Sequence, residues 1–464
     1  MIWVLIEKGL YTLLQFITLI ILGRLLSVED YGVYGTMIVF IAVSEILIDS
    51  GFGGALIQKK NVNQNDINTL FTVNFIISAF LYIVIFLIAP LMESIYKIDG
   101  LSTYFRVVGL VVILFALSVV QNSLLIREMR FMKSAVINIS ACILSAIMAV
   151  ILAYLGFGVW SLVAQALLNS ALITIFLWMT NWIKINLCID KKSLAEMWNF
   201  GSNLLFSNIL TTITNNISSN IIPKIGSLKQ SGLYLQANKI SNIPSSILTL
   251  SIDKSTFPLL SREKTMDSLI YRARAINKTI ITIFTPIFPV LSLYSYLVLT
   301  IVLGDKWSEA APYFQVLSWG GLALMMQSLS RNIMKSHGDT KAILRVEIIK
   351  TIITLSAILL SLRYGIYFLV WSMSISYFVG VAIWMYVLEK RLSYKIVEHF
   401  SDVIRPVLIS TFLFLLFQIS TIDFSSLKSI IWFPVYLIAY LVLGAITKDE
   451  TILGYISKFS KKKI

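Results

Sequence analysis

The sequence predicts an all-α polytopic membrane protein with about 14 transmembrane helices. Three observations predict it. Apolar residues make up 57% of the chain and charged residues only 13%, where ordinary soluble domains carry about 25% charged residues. Mean hydropathy is +0.83. Apolar runs of about 17–25 residues, the length that crosses a hydrocarbon core, recur from one end to the other.

The first run, 3–26, is too long for the apolar region of a signal peptide and lacks a basic stretch before it and a small-residue cleavage site after it. It is expected to stay in the membrane. Five further runs follow at 33–50, 70–90, 105–125, 134–155 and 159–180. A second series occupies 200–222, 239–260, 276–303, 313–329, 342–362 and 367–388, and two more runs lie at 403–420 and 430–446. Pro244 and Pro258 would each remove a helix hydrogen bond inside the eighth run and are expected to bend it.

The net charge of +14 does not point to nucleic acid, because the cations sit in short loops rather than on one face. Loops after the even-numbered runs, with the C-terminal tail, hold 27 of the 38 Lys and Arg, and the opposite side holds nine. Excess Lys and Arg marks the cytoplasmic side, so both termini are expected in the cytoplasm. Cys142 and Cys188 are far apart in the chain and only two histidines are present, so no metal-ligating cluster is expected.

The chain repeats itself at an offset of roughly 200 residues. "YFRVVGL" (104–110) matches "YFQVLSW" (313–319), "YLGFGVWSLV" (154–163) matches "RYGIYFLVWS" (363–372), and "YGVYG" (31–35) pairs with "SGLY" (231–234). The order and spacing predict two six-helix lobes in parallel repeat plus two C-terminal helices. The expected division is an N-lobe at 1–183, a cytoplasmic linker at 184–199, a C-lobe at 200–390, and a C-terminal pair with a basic tail at 391–464. Transporters are commonly built from such repeats, with the substrate site where the halves face each other.

The seventh run poses a specific question. In "LTTITNNISSN" (210–220) eight of eleven residues are Thr, Asn or Ser. At about 100° per residue, Leu205, Ile209, Ile213, Ile217 and Ile221 form one stripe. Ser207, Asn208, Thr211, Asn215, Ser218 and Ser219 lie on the opposite arc. Such an arc either packs through small residues or lines a hydrated cavity, and its length favours the cavity. Asn216 and Asn220 fall on the apolar side and fit neither account.

Ionisable residues inside spans are costly and usually functional. Glu7, Asp49, Asp253, Lys254 and Arg24 fall there or at span ends. Cations in a membrane cavity would suit a phosphate-bearing substrate. No phosphate-binding G-x-x-x-x-G-K-[ST] loop is present, and no loop is long enough to fold as a catalytic domain, so the chain is not expected to be an enzyme or to hold a cofactor.

"GRLLSVEDYGVYG" (23–35) and "DSGFGGALIQKK" (49–60), with "YLGFGVWSLVAQ" (154–165), "GLYLQANKISNIPSS" (232–246), "TFPLLSR" (256–262) and "VLGDKWSEAAPYFQVL" (302–317), resemble the polysaccharide transporters. These are the Wzx-type flippases of lipopolysaccharide and capsule synthesis, within the multidrug/oligosaccharidyl-lipid/polysaccharide exporter superfamily. The resemblance is nearest to the subgroup around colanic-acid and exopolysaccharide export. It implies a MATE/MurJ-like pair of six-helix lobes around a central cavity. It also implies movement of undecaprenyl-diphosphate-linked oligosaccharide repeat units across the bacterial cytoplasmic membrane, with other polysaccharide-assembly proteins as partners.

On that reading Lys254 and Arg24 would hold the headgroup, and Asn208, Thr211, Asn215 and Ser219 would line the sugar path. Asp49, Asp253 and Glu7 would act as gate or ion-coupling carboxylates. A drug/cation antiporter of the same superfamily is the alternative. It would place carboxylates in an otherwise apolar cavity, whereas amides and hydroxyls predominate here. A membrane glycan polymerase would need a large outer loop, which the sequence lacks.

Overall fold

The computed structural model describes residues 2–49, 53, 56, 62–180, 183–260, 263, 265–420, 422–447, 449 and 451–453; within its helices the side chains of residues 2–8, 196–204, 250, 251, 253–255, 257 and 258 lie outside that description. Among the described residues the secondary structure is helical, with no strand.

The first eight expected runs coincide with eight helices: α1 (Ile2–Leu25), α2 (Val28–Asp49), α3 (Gln64–Tyr96), α4 (Leu101–Arg127), α5 (Phe131–Tyr154), α6 (Val159–Thr180), α7 (Lys191–Ile225) and α8 (Leu228–Leu260). The ninth run is divided into α9 (Met266–Phe284), α10 (Ile287–Leu293) and α11 (Ser295–Leu303). Pro286 explains the first division, because it has no N–H to continue the ladder. The remainder are α12 (Ala311–His337), α13 (Thr340–Ser361), α14 (Ile366–Leu392), α15 (Ile396–Ile419) and α16 (Trp432–Ile446). By contrast α8 remains helical through Pro244.

Nine stretches among the described residues are long and apolar enough to cross a membrane: α2 to α6, α9 with α10, α14, α15, and α16 with the turn before it. α7, α8, α12 and α13 fall outside this set, though expected runs lie on all four. α7 and α8 show the reason most plainly, since both have mixed rather than continuous apolar faces. A helix shielded by protein tolerates such a face.

Several helices overrun their apolar runs and carry cations that a loop assignment would place outside. Arg274, Arg331 and Arg391 are such residues, each within 4.0 Å of an acidic oxygen. Likewise the expected linker 184–199 is part extended and part helix, because Asp190 caps α7 by accepting from the Ser193 N–H at 2.8 Å. That bond holds the Asp190 carboxyl below its usual range. The extended part is laid along the start of α3, where Gln64 donates to the Lys184 carbonyl (2.7 Å) and the Asp190 N–H reaches Thr69 (2.9 Å).

The chain forms two compact units, Met1–Leu235 and Gln236–Ile464. In the first, Met37 and Ile48 of α2 and Phe105 and Val112 of α4 are buried in one cluster with Val163 of α6. In the second, Ile333 and Met334 of α12 are buried with Trp384 and Leu388 of α14. The last two helices are fastened by buried tyrosine hydroxyls. Tyr436 donates to the Ser410 carbonyl (2.9 Å), Tyr440 to that of Thr282 (2.7 Å), and Tyr294 to that of Ser429 (2.7 Å).

Two helix starts, 200 residues apart, share one construction. At α2 the Ser27 N–H donates to Asp30 (2.9 Å) and the Asp30 N–H donates back to the Ser27 hydroxyl (3.0 Å). At α8 the Ser227 N–H donates to Gln230 (3.1 Å) and the Gln230 N–H returns to Ser227 (3.2 Å). Each is a reciprocal capping box. Five residues into each box sits a glycine pressed on the other helix: Gly32 against the Leu228 carbonyl, and Gly232 against the Val28 carbonyl. A β-carbon at either position would meet backbone, so only glycine permits this crossing.

Candidate functional site

The amide- and hydroxyl-rich arc of α7 divides into two faces. Along the first unit α7 packs against α2 and touches α3. Ser207, Thr214, Ser218 and Ser219 are buried there, at 5%, 8%, 0% and 3% exposure. Small hydroxyls suit this role, since they let helices approach while bonding their own backbone, as Thr214 does to the Leu210 carbonyl at 2.7 Å. Asn208 and Asn215 are exposed and Thr211 is partly so. These three, spaced three and four residues apart, form one open stripe.

Ser219, expected to line the path with these three, is buried like Ser218. The two unexplained amides also find their places. The Asn216 amide donates to the Thr212 carbonyl at 2.9 Å. Asn220 accepts from the Tyr96 hydroxyl of α3 through both its carbonyl (2.9 Å) and its side chain (3.1 Å). Single cysteines at Asn208, Thr211 and Asn215 are expected to react with a membrane-impermeant maleimide, and cysteines at Ser218 and Ser219 to be protected. Equal protection at all five positions would assign the whole arc to packing.

Of the ionisable candidates, Arg24 is exposed in the last turn of α1. Asp49 ends α2, exposed, with its oxygen 2.9 Å from where a β-carbon on Gly53 would stand, and the Ser123 hydroxyl of α4 is at the same distance from that point. Glu7, Asp253 and Lys254 have side chains outside the described residues. The structure thus brings Asn208, Thr211 and Asn215 together and leaves Asp49 and Arg24 at helix ends.

Residue type and spacing alone miss three charged groupings. The first is Glu45, a carboxylate inside α2. The signal was present as one acid in the apolar run Ile41–Ile48. The second is Glu347 of α13, 2% exposed and shared by Arg331 of α12 and Lys350, the latter at 3.1 Å. The third is Asp402 of α15. It accepts from Arg274 twice (2.9 and 3.1 Å) and from the Tyr394 hydroxyl (2.9 Å). Burial, with Asp402 adding to it, pushes the Tyr394 hydroxyl well above its ordinary value. Lys350 stands three residues from Glu347 on the same helix, but Arg331 and Arg274 come from other helices, so spacing in the chain does not reveal those partners.

A family model described as "Polysaccharide biosynthesis protein" matches residues 21–312, well over half of the chain. The chain belongs to this polysaccharide biosynthesis protein family. Its members are transporters rather than enzymes, and the resemblance of residues 23–35 and 49–60 to the Wzx-type polysaccharide transporters is borne out. Among curated relatives, the succinoglycan biosynthesis transport protein ExoT of Rhizobium meliloti (strain 1021) is 23% identical over 350 residues, 74% of this chain and 70% of that one. The teichuronic acid biosynthesis protein TuaB of Bacillus subtilis (strain 168) is 22% identical, over 72% of this chain and 70% of its own. Among solved structures, the lipid II flippase MurJ in an inward closed conformation superposes with a TM-score of 0.77 at 13% identity, covering 97% of this chain and all of that one. The family member described here is thus a multi-pass membrane protein with a MurJ-like fold.

Proposed function

We propose that this transporter flips undecaprenyl-diphosphate-linked oligosaccharide repeat units from the inner to the outer leaflet of the bacterial cytoplasmic membrane, for O-antigen, capsule or exopolysaccharide synthesis. The observation that carries the reading is the family match joined to the open stripe Asn208, Thr211 and Asn215 on α7. Sugar hydroxyls need many exchangeable donors and acceptors, which amides and hydroxyls in a row supply. A drug or cation would be served by carboxylates in an apolar wall instead.

In this reading the chain is two six-helix lobes in parallel repeat, with α15 and α16 added, and both termini are cytoplasmic. The paired capping boxes at Ser27 and Ser227 support the repeat. So do Gly156 and Gly365, which stand at matching turns with φ of 83° and 92°. Lys254 and Arg24 hold the diphosphate, and Asp49, Asp253 and Glu7 serve as gate or coupling carboxylates.

Deleting the gene in its native host is expected to make a polyprenyl-diphosphate oligosaccharide accumulate, shielded from reagents outside the cell. Wild-type protein should clear it, whereas Lys254→Ala at a normal protein level should not. Absence of any lipid-linked intermediate would overturn the flippase reading. Clearance by Lys254→Ala would remove Lys254 from the site.

A further inference from the structure

The turn between α3 and α4 gathers charged groups that the α7 stripe does not use. Both helices are long and apolar enough to cross a membrane, and close contacts fix their seam at two levels. At the turn, Glu93 of α3 accepts from the Gly100 N–H (3.2 Å) and from the Ser102 N–H of α4 (2.8 Å). Two turns deeper, a β-carbon on Gly109 would stand 3.0 Å from Ile85 and 3.3 Å from the Tyr82 ring. Arg106 lies between those levels, one turn below Ser102 on the same side of α4.

A cation inside a membrane-length helix is costly unless it meets an anion. The Arg106 guanidinium carbon stands 4.3 Å from the centroid of the Phe86 ring, which attracts charge without offering an acceptor oxygen. Its Nε is buried with no hydrogen-bond partner, and among the described residues it forms no ion pair. Glu93 is near enough to feel its charge, but both Glu93 oxygens already accept N–H groups.

Between Arg106 and the turn is a cleft of about 520 Å³, lined by Pro90, Glu93, Ser94, Lys97, Asp99 and Ser102. Two carboxylates and one ammonium make it net acidic. Leading away from it, on the same side of α3 as Ser94, Phe80, Ile83, Leu87 and Leu91 form an apolar stripe, each more than half exposed. The order is therefore an apolar stripe, a cation, and a net acidic polar cleft.

We propose that this end of the α3–α4 pair binds a phospholipid with a primary-amine headgroup. Its acyl chain lies along the stripe, its phosphate on Arg106, and its ammonium at Asp99, Glu93 and Ser94. A lipid of zero net charge fits because Glu93, Lys97, Asp99 and Arg106 also sum to zero. An anionic headgroup would set negative charge against Asp99 and Glu93, and a trimethylated amine would have no N–H to give them. None of these residues belongs to the α7 stripe, and the site does not depend on what the protein transports.

The test is native mass spectrometry of the intact, delipidated protein titrated with phosphatidylethanolamine, phosphatidylcholine or phosphatidylglycerol of identical acyl chains. The first phosphatidylethanolamine adduct is expected to form with about tenfold higher affinity than the first phosphatidylcholine adduct, the worth of a few charged hydrogen bonds. Arg106→Gln should weaken the first adduct of both lipids. Asp99→Asn should remove the difference between them, since Asp99 serves the amine alone. Arg363→Gln, a control cation in the second unit, should change neither. Asp99 is exposed in the turn, so its variant keeps the test decisive if Arg106→Gln does not fold. Tightest binding of phosphatidylglycerol, equal binding of all three lipids, or a phosphatidylethanolamine preference that survives Asp99→Asn would each overturn the proposal. Tighter binding of a polyprenyl monophosphate, lost in Arg106→Gln, would give the site to the transported lipid and also overturn it.

Discussion

Gly32→Val and Gly232→Val are each expected to abolish glycan export in a complementation assay while Gly35→Ala leaves it near the wild-type level. At Gly32 a β-carbon would stand inside the contact distance of the Leu228 carbonyl, and at Gly232 inside that of the Val28 carbonyl. Both obstacles are backbone, which cannot rotate away as a side chain end would. Overpacking of this kind typically costs about 1–3 kcal/mol, and here it falls on two helix starts already pinned by capping boxes. Gly35 is the internal control, since its added β-carbon would meet only the Leu235 and Ser231 side chains, both at 3.6 Å. Normal export by either valine variant would show that the α2–α8 crossing is dispensable.

Glu347→Gln is expected to produce the largest loss of stability among single side-chain changes in the second unit. The carboxylate is 3% exposed and lies between Lys350, at 3.1 Å and 13% exposed, and Arg331 on the neighbouring helix. Removing it leaves two cations facing each other with no compensating charge. Breaking a buried pair by deleting one partner costs about 3–5 kcal/mol, and the 38% exposure of Arg331 moves the expectation toward the lower end. Thermal unfolding of the detergent-purified protein is the measurement. Adding Lys350→Met to Glu347→Gln should recover part of the loss, because it removes one of the two stranded cations. A Glu347→Gln protein as stable as wild type would show that the triad carries no net stabilisation.

The helical class and the order of the first eight helices were legible from apolar run length, because a bilayer demands an unbroken helix of set length wherever the chain crosses it. The sixth run even ends where α6 ends, at Thr180. Helix ends were less legible. Apolar runs stop where the hydrocarbon stops, whereas α7, α12 and α15 continue into regions where capping and ion pairs sustain them. Asp190 at the start of α7, Arg331 of α12 on Glu347, and Asp402 of α15 on Arg274 show it.

The polar arc of α7 marks the boundary between the two kinds of knowledge. Angular spacing along one helix determines which residues share a side, and it separated the hydroxyls and amides from the Leu205–Ile221 stripe. It does not determine which part of a polar side meets a neighbour. Ser218 and Ser219 are inside because α2 and α3 pack along the first unit there, and Asn208 and Asn215 are outside because no helix covers them within it. The sequence by itself determined a family and an all-helical membrane architecture. Only the tertiary structure decided that Gly32 and Gly232 touch each other's helix and that Glu347 is also reached by Arg331 of the neighbouring helix. Each of those facts is a distance between segments remote in the chain, and composition, period and spacing carry no information about such distances.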